Sequence, residues 1–191
     1  MSLLKVSVNL DDDAINPRED ENLCRMSLFI KGHSLPQEIE DLDTYDFVDY
    51  DEMEAELKRQ FPVVSRVYGY LHGGVVVSVD PFACTWDSGT AGFAVMTQHT
   101  LNEGGFSIER AYEIIKQEVD TYNKYINGMV YAYRIDEIKT CNMGCEHAEC
   151  IEYVGGYYDD AQALAEGYSV ARFLAKRTEG CVVADLAELN Y

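Results

Sequence analysis

The chain has 191 residues, of which 47% are hydrophobic, and a formal net charge of −19 from 34 acids against 15 lysines and arginines. That apolar share supports a core and excludes wholesale disorder. The charge disfavours direct contact with nucleic acid or an anionic membrane and favours basic protein surfaces, although it also simply keeps a protein in solution.

Residues 4–10 alternate with period two and predict a strand. Residues 1–10 carry one lysine and no long apolar core, so no secretory leader is expected. Residues 11–21 are polar, acidic and broken by Pro17, a loop, and residues 24–31 are a second apolar run. A short helix is expected over 52–60, ahead of Pro62. The β-branched runs 63–71 and 75–79 flank Gly73-Gly74 and read as a hairpin. Residues 91–97 follow as another strand after a turn-rich stretch, 80–90.

The clearest helix is 107–126, where Ile108, Ala111, Tyr112, Ile115, Val119, Tyr122 and Ile126 form one stripe, with Ser107 as cap and Asn127-Gly128 as stop. Residues 129–135 and 150–154 then read as strands across a long loop. A second long helix spans 159–176, with acids at its start, bases at its end, and Leu164, Tyr168, Ala171 and Leu174 facing the core. No run approaches the ~18 apolar residues of a membrane span. The expectation is α+β: one domain over 1–191 with an acidic region at 1–56, built as an antiparallel sheet of about six strands with two long helices on one face.

The charge is concentrated. Residues 1–56 hold 16 acids and 4 bases, and ten of the twenty residues 37–56 are carboxylates with no base among them. Crowded carboxylates repel and cost folding stability, so a chain that keeps them often uses the field. Spaced along a rigid surface they imitate backbone phosphates and meet the lysines and arginines of a nucleic-acid-binding protein. The candidate partner-binding residues are Glu38, Glu40, Asp41, Asp43, Tyr45, Asp46, Phe47, Asp49, Tyr50, Asp51, Glu52 and Glu54, the aromatics serving as anchors or hot spots. A solvated loop and helix face is the plainer reading. A Ca²⁺ site lacks the EF-hand spacing and its central glycine.

Cys141, Cys145, His147 and Cys150 offer zinc-type ligands, but not in the spacing of a zinc finger. The alternatives are reduced cysteines with Cys150 pointing into the core, or a Cys141–Cys145 disulfide under oxidation. No cofactor or metal is assigned. In the stretch 81–89, Cys84 or Ser88 offers a nucleophile, with His72 or His99 as base and Asp87 to orient it. The stronger reading is structural: Asp87 and Ser88 bonding to turn amides, Gly89 at positive φ, and Trp86 packed as an anchor.

The chain resembles a family of small proteins carried by bacterial phages and plasmids. The likeness lies in Asn16-Pro17-Arg18-Glu19 with Asn22-Leu23, in residues 77–89 ending Trp86-Asp87-Ser88-Gly89, in Gly92-Phe93, in 118–128 with Val130-Tyr131, and more weakly around Cys150 and 153–157. The acidic stretch has no counterpart, and the family brings no catalytic residues. Proteins of that context include anti-restriction and anti-CRISPR inhibitors that imitate DNA or block an effector's DNA-binding surface. The resemblance therefore implies a non-enzymatic inhibitor in the host bacterial cytoplasm. Its expected partner is a CRISPR effector or other nucleic-acid-binding defence protein, with no direct contact to nucleic acid or membrane. The alternative is a small phage or plasmid enzyme using Cys84 or Ser88.

Overall fold

The strands begin where apolar residues alternate. In the computed structural model they are β1 (Ser2–Leu10), β2 (Arg25–Leu28), β3 (Val63–Leu71), β4 (Val75–Ser78), β5 (Ser88–Met96), β6 (Tyr131–Thr140), β7 (Glu146–Tyr157), β8 (Cys181–Val183) and β9 (Glu188–Asn190). The helices are α1 (Tyr50–Gln60), α2 (Gln98–Gly104), α3 (Ile108–Ile126) and α4 (Asp160–Arg177). The structure describes residues 2–31, 35–40, 42, 46–84, 86–177, 181–184 and 188–191. No helix among them is long and apolar enough to cross a membrane.

Contacts gather into two compact units, Met1–Ile15 with Gly128–Tyr191, and Asn16–Asn127. In the first, β1 is central. It pairs antiparallel with β6, which pairs antiparallel with β7. Along its other edge β1 pairs parallel with β8 at residues 2–4 and with β9 at residues 7–9. Period two puts Leu4, Val6 and Val8 on one face and Lys5, Ser7 and Asn9 on the other. The apolar face meets α4: Leu4, Val6, Tyr133, Ile135 and Ala171 are buried together, with Leu164, Tyr168 and Leu174 packed at the margin as the sequence predicts. A Cβ on Gly167 would lie 2.9 Å from Val6 and 3.0 Å from Tyr133, so this glycine lets α4 settle onto the sheet.

The second unit is a four-stranded antiparallel sheet, ordered β2-β5-β3-β4. Both faces are covered. Met26, Leu28, Val63, Val67, Ala94 and Met96 point to α3, which buries Ala111, Ile114, Ile115, Val119 and Tyr122. Val64, Phe93 and Val95 point the other way and pack with Met53 and Leu57 of α1. The Gly73-Gly74 hairpin forms as expected, with Gly73 at φ 77°. At Gly92, φ 159°, an added Cβ would stand 2.0 Å from the Ser27 carbonyl oxygen, so only glycine lets β2 and β5 pair there.

The α+β class agrees with the sequence reading, but the arrangement is different. The strands divide between two sheets, α3 and α4 serve different sheets, and α1 takes the face opposite α3. The physical reason is that β3 and β5 are apolar on both faces, which a sheet covered on one side does not need.

Candidate functional site

Of the acidic stretch, residues 46–49 lead into α1 and residues 50–56 form its first turns. Asp49 caps the helix, its carboxylate accepting from the backbone N–H of Asp51 and of Glu52, both at 2.9 Å. Glu52 reaches back to accept from the Val48 N–H at 2.8 Å, a variant of the reciprocal capping box. Asp51 and Glu52 lie in the first turn, where the positive end of the helix dipole offsets their repulsion. Phe47 and Tyr50 are anchors: both pack on the α1 core, with Tyr50 6.2 Å from the Phe93 ring.

Several carboxylates are neutralised within the fold. Arg66, lying over Phe93, donates to Asp51 at 2.6 Å and to Glu54 at 2.5 Å. Lys58 adds a 2.6 Å pair to Glu54. Burial alone would raise the Glu54 carboxyl, but the hydrogen bonds and charges of Lys58 and Arg66 outweigh it and hold the group below its ordinary value. Glu56 pairs with Arg59, and Glu40 stands 3.9 Å from Arg25. Asp46, Asp49 and Glu52 are exposed and have no cationic partner among the described residues. Between them Val48 is 91% exposed beside a hollow of about 210 Å³ bounded by Phe47, Asp49, Tyr50 and Met53. The remaining candidates Asp41, Asp43 and Tyr45 lie outside the described residues.

Glu38 sits elsewhere, in a buried cluster that sequence reasoning missed. Arg18 has a side chain only 4% exposed and grips Glu38 with two bonds, at 2.8 and 2.5 Å. It also donates to Glu118 at 2.9 Å, to Asn22 at 3.0 Å and to the Cys24 carbonyl at 2.7 Å. The carboxylates are satisfied in turn. Glu118 accepts from the Leu23 N–H at 2.8 Å and the Cys24 thiol at 3.0 Å, and Glu38 from the Met26 N–H at 2.8 Å. Burial opposes the Arg18 charge, but Glu38 and Glu118 raise its pKa above the ordinary value, while burial and then Glu118 push the Cys24 thiol up and keep it neutral. This cluster ties residues 18–38 to α3. The one sequence signal was that Arg18, Asn22 and Glu118 all fall in patches that carry the resemblance.

The stretch 81–89 differs from the expected turn. Trp86 is 94% exposed rather than packed. Gly89 is not among the positive-φ glycines and pairs with Gly69 inside the β3–β5 ladder. The Ser88 hydroxyl donates to the Cys84 carbonyl, not to a base. His72 and Asp87 do meet, at 3.5 Å, whereas His99 pairs with Glu103 at 3.3 Å on α2. An open depression of about 430 Å³ is lined here by Phe29, Ile30, Leu71, Trp86 and Gly89.

The cysteine segment is a hairpin rather than a long loop, because β6 and β7 run on to Thr140 and Glu146. Period two sets His147 and Cys150 on opposite sides of β7, about 10 Å apart along the strand, with Cys145 in the turn before it. Cys150 is exposed and does not point into a core. Among the described residues no cluster of three or more metal-ligating side chains forms, so the four zinc-type ligands do not converge on one point. In comparisons with known proteins, no family model, no curated protein and no solved structure matches the chain.

Proposed function

We propose that the protein is an inhibitor that binds the nucleic-acid-binding surface of a bacterial defence effector, with a CRISPR effector complex as the first target to test. The observation that carries this reading is the set of exposed carboxylates with no cationic partner among the described residues at the entry to α1, Asp46, Asp49 and Glu52, in a chain of net charge −19. Asp49 and Glu52 are three apart at the helix start, a spacing that sets side chains about 5–6 Å apart on one face. A channel lined with lysine and arginine meets such a row as it meets backbone phosphates. Val48 and its hollow add an apolar contact within the acidic rim, the arrangement expected of a hot spot surrounded by polar groups. The carboxylates tied to Arg18 and Arg66 belong to the fold, so the finer interface centres on 46–52 rather than on all of 37–56.

The test is phage plating on hosts with an active CRISPR or restriction system. Expression of the protein should restore plating. The combined substitutions Asp46→Asn, Asp49→Asn and Glu52→Gln should abolish that effect while the circular dichroism spectrum stays unchanged. Asparagine at 49 keeps the cap and glutamine at 52 keeps its acceptor, so the fold is spared. Full protection by the neutralised variant would refute the charge-mimic reading.

A further inference from the structure

We propose that Cys141 and Cys145, at the tip of the β6–β7 hairpin, form a reversible dithiol–disulfide site in which Cys141 attacks and Cys145 resolves. The two residues close the hairpin on each other: the Cys141 N–H donates to the Cys145 carbonyl at 2.8 Å. The two residues continue the β6–β7 register one step past Thr140 and Glu146, and facing residues of an antiparallel ladder lie about 4.5–5.5 Å apart at Cα, within the ~4.4–6.8 Å that a disulfide spans. The tight turn is set by Gly144, at φ +82°, whose N–H donates to the Cys141 carbonyl at 2.9 Å.

That turn aims donors at one sulfur. The Cys145 N–H reaches Cys141 Sγ at 3.3 Å. The Met143 amide acts most strongly, followed by the Cys145 N–H, and with the Cys145 side chain they outweigh burial and hold the Cys141 thiol below its ordinary value. Donors that stabilise a thiolate favour the nucleophilic form. Cys145 is exposed and Met143 is 88% exposed, so a small electrophile reaches the pair from solvent. Cys150 is exposed too, but its thiol faces the Glu152 carbonyl at 3.6 Å and no cysteine stands across from it, so it serves as an internal control.

The oxidant class is a hydroperoxide. The Cys141 thiolate attacks the terminal peroxide oxygen, the O–O bond breaks, and the leaving alkoxide or hydroxide takes a proton from water, leaving a sulfenic acid. The Cys145 sulfur then attacks the Cys141 sulfur and its proton leaves with the hydroxyl as water. The two thiols have lost two electrons to the O–O bond, and an external dithiol returns them by exchange.

The test uses the folded full-length protein. Limited alkylation of the reduced protein with iodoacetamide at neutral pH should label Cys141 ahead of Cys150. One equivalent of hydrogen peroxide should then remove two hydrogens from the peptide containing Cys141 and Cys145, restored by dithiothreitol, and leave the other cysteines unchanged. In Cys145→Ser, Cys141 should instead be trapped as a sulfenic acid by dimedone. Labelling of Cys150 at the same rate as Cys141, or oxidation of Cys141 to sulfinic acid without a disulfide, would overturn the assignment.

Discussion

Replacing Arg18 with alanine removes the hub of the buried cluster. Five side-chain bonds to Glu38, Glu118, Asn22 and the Cys24 carbonyl disappear together, from a guanidinium whose side chain is 4% exposed. Breaking a buried ion pair from one side costs about 3–5 kcal/mol, because the remaining charge stays desolvated. Here the low end applies, since Leu23, Cys24 and Met26 still donate to the two carboxylates. A loss of about 3 kcal/mol is a large share of the ~5–15 kcal/mol that holds a domain folded. With a urea slope near ~2 kcal/mol/M, the midpoint for the unit Asn16–Asn127 should fall by about 1.5 M. Urea titration followed by circular dichroism at 25 °C reads this directly. The control is Arg59→Ala, which breaks a solvent-screened surface pair with Glu56 from a side chain 69% exposed and should leave the midpoint nearly unchanged. Equal midpoints for the two variants would refute the view that the cluster fastens residues 18–38 to α3.

Gly92→Ala should destabilise the same unit strongly or prevent folding, because the new Cβ meets backbone atoms of Ser27 and Leu28 rather than a side chain that can turn away; thermal melting of Gly92→Ala against Gly89→Ala, where the added Cβ meets open space, separates a clash from a generic glycine effect. Asp49→Ala should lower stability by about 0.5–2 kcal/mol through loss of the α1 cap, and Asp49→Asn should restore most of it, both read by urea titration. Glu54 is held below its ordinary value, so its stabilisation is complete above the unfolded-state value near pH ~4.3 and is lost as pH falls through the lower folded value. The difference in stability between wild type and Glu54→Gln should therefore be present at pH 7 and shrink as the solution is acidified, which a pH series of melts measures.

Periodicity carried most of the secondary structure. The α3 helix, the Gly73-Gly74 hairpin and the alternation of β1 were legible from their repeats, although the expected α3 stripe was offset: Ile108 and Tyr112 are exposed and Ile114 is buried. The division into two sheets was not, since it depends on which strands pair. Nothing local in the short segments β8 and β9 announces that both run parallel to β1, over a hundred residues away. The seven-residue α2 is too short to show a repeat. The acidic stretch was legible as a charge run, but its internal neutralisation was not. Arg66 stands in a strand beyond α1 and meets Asp51 and Glu54 only once α1 lies across β3 and β5. Arg18 and Glu118, a hundred positions apart, escaped for the same reason. At Trp86 the expectation of burial rested on residue type alone, and the chain exposes it.

The most direct test of the central claim is a tagged pull-down from nuclease-treated lysates of bacteria carrying CRISPR and restriction systems, eluted with a salt gradient and read by mass spectrometry. Charge-driven inhibition predicts recovery of a nucleic-acid-binding effector near one to one, released as salt screens the contact, and lost with the neutralised 46–52 variant. Recovery that is indifferent both to salt and to those three carboxylates would contradict it.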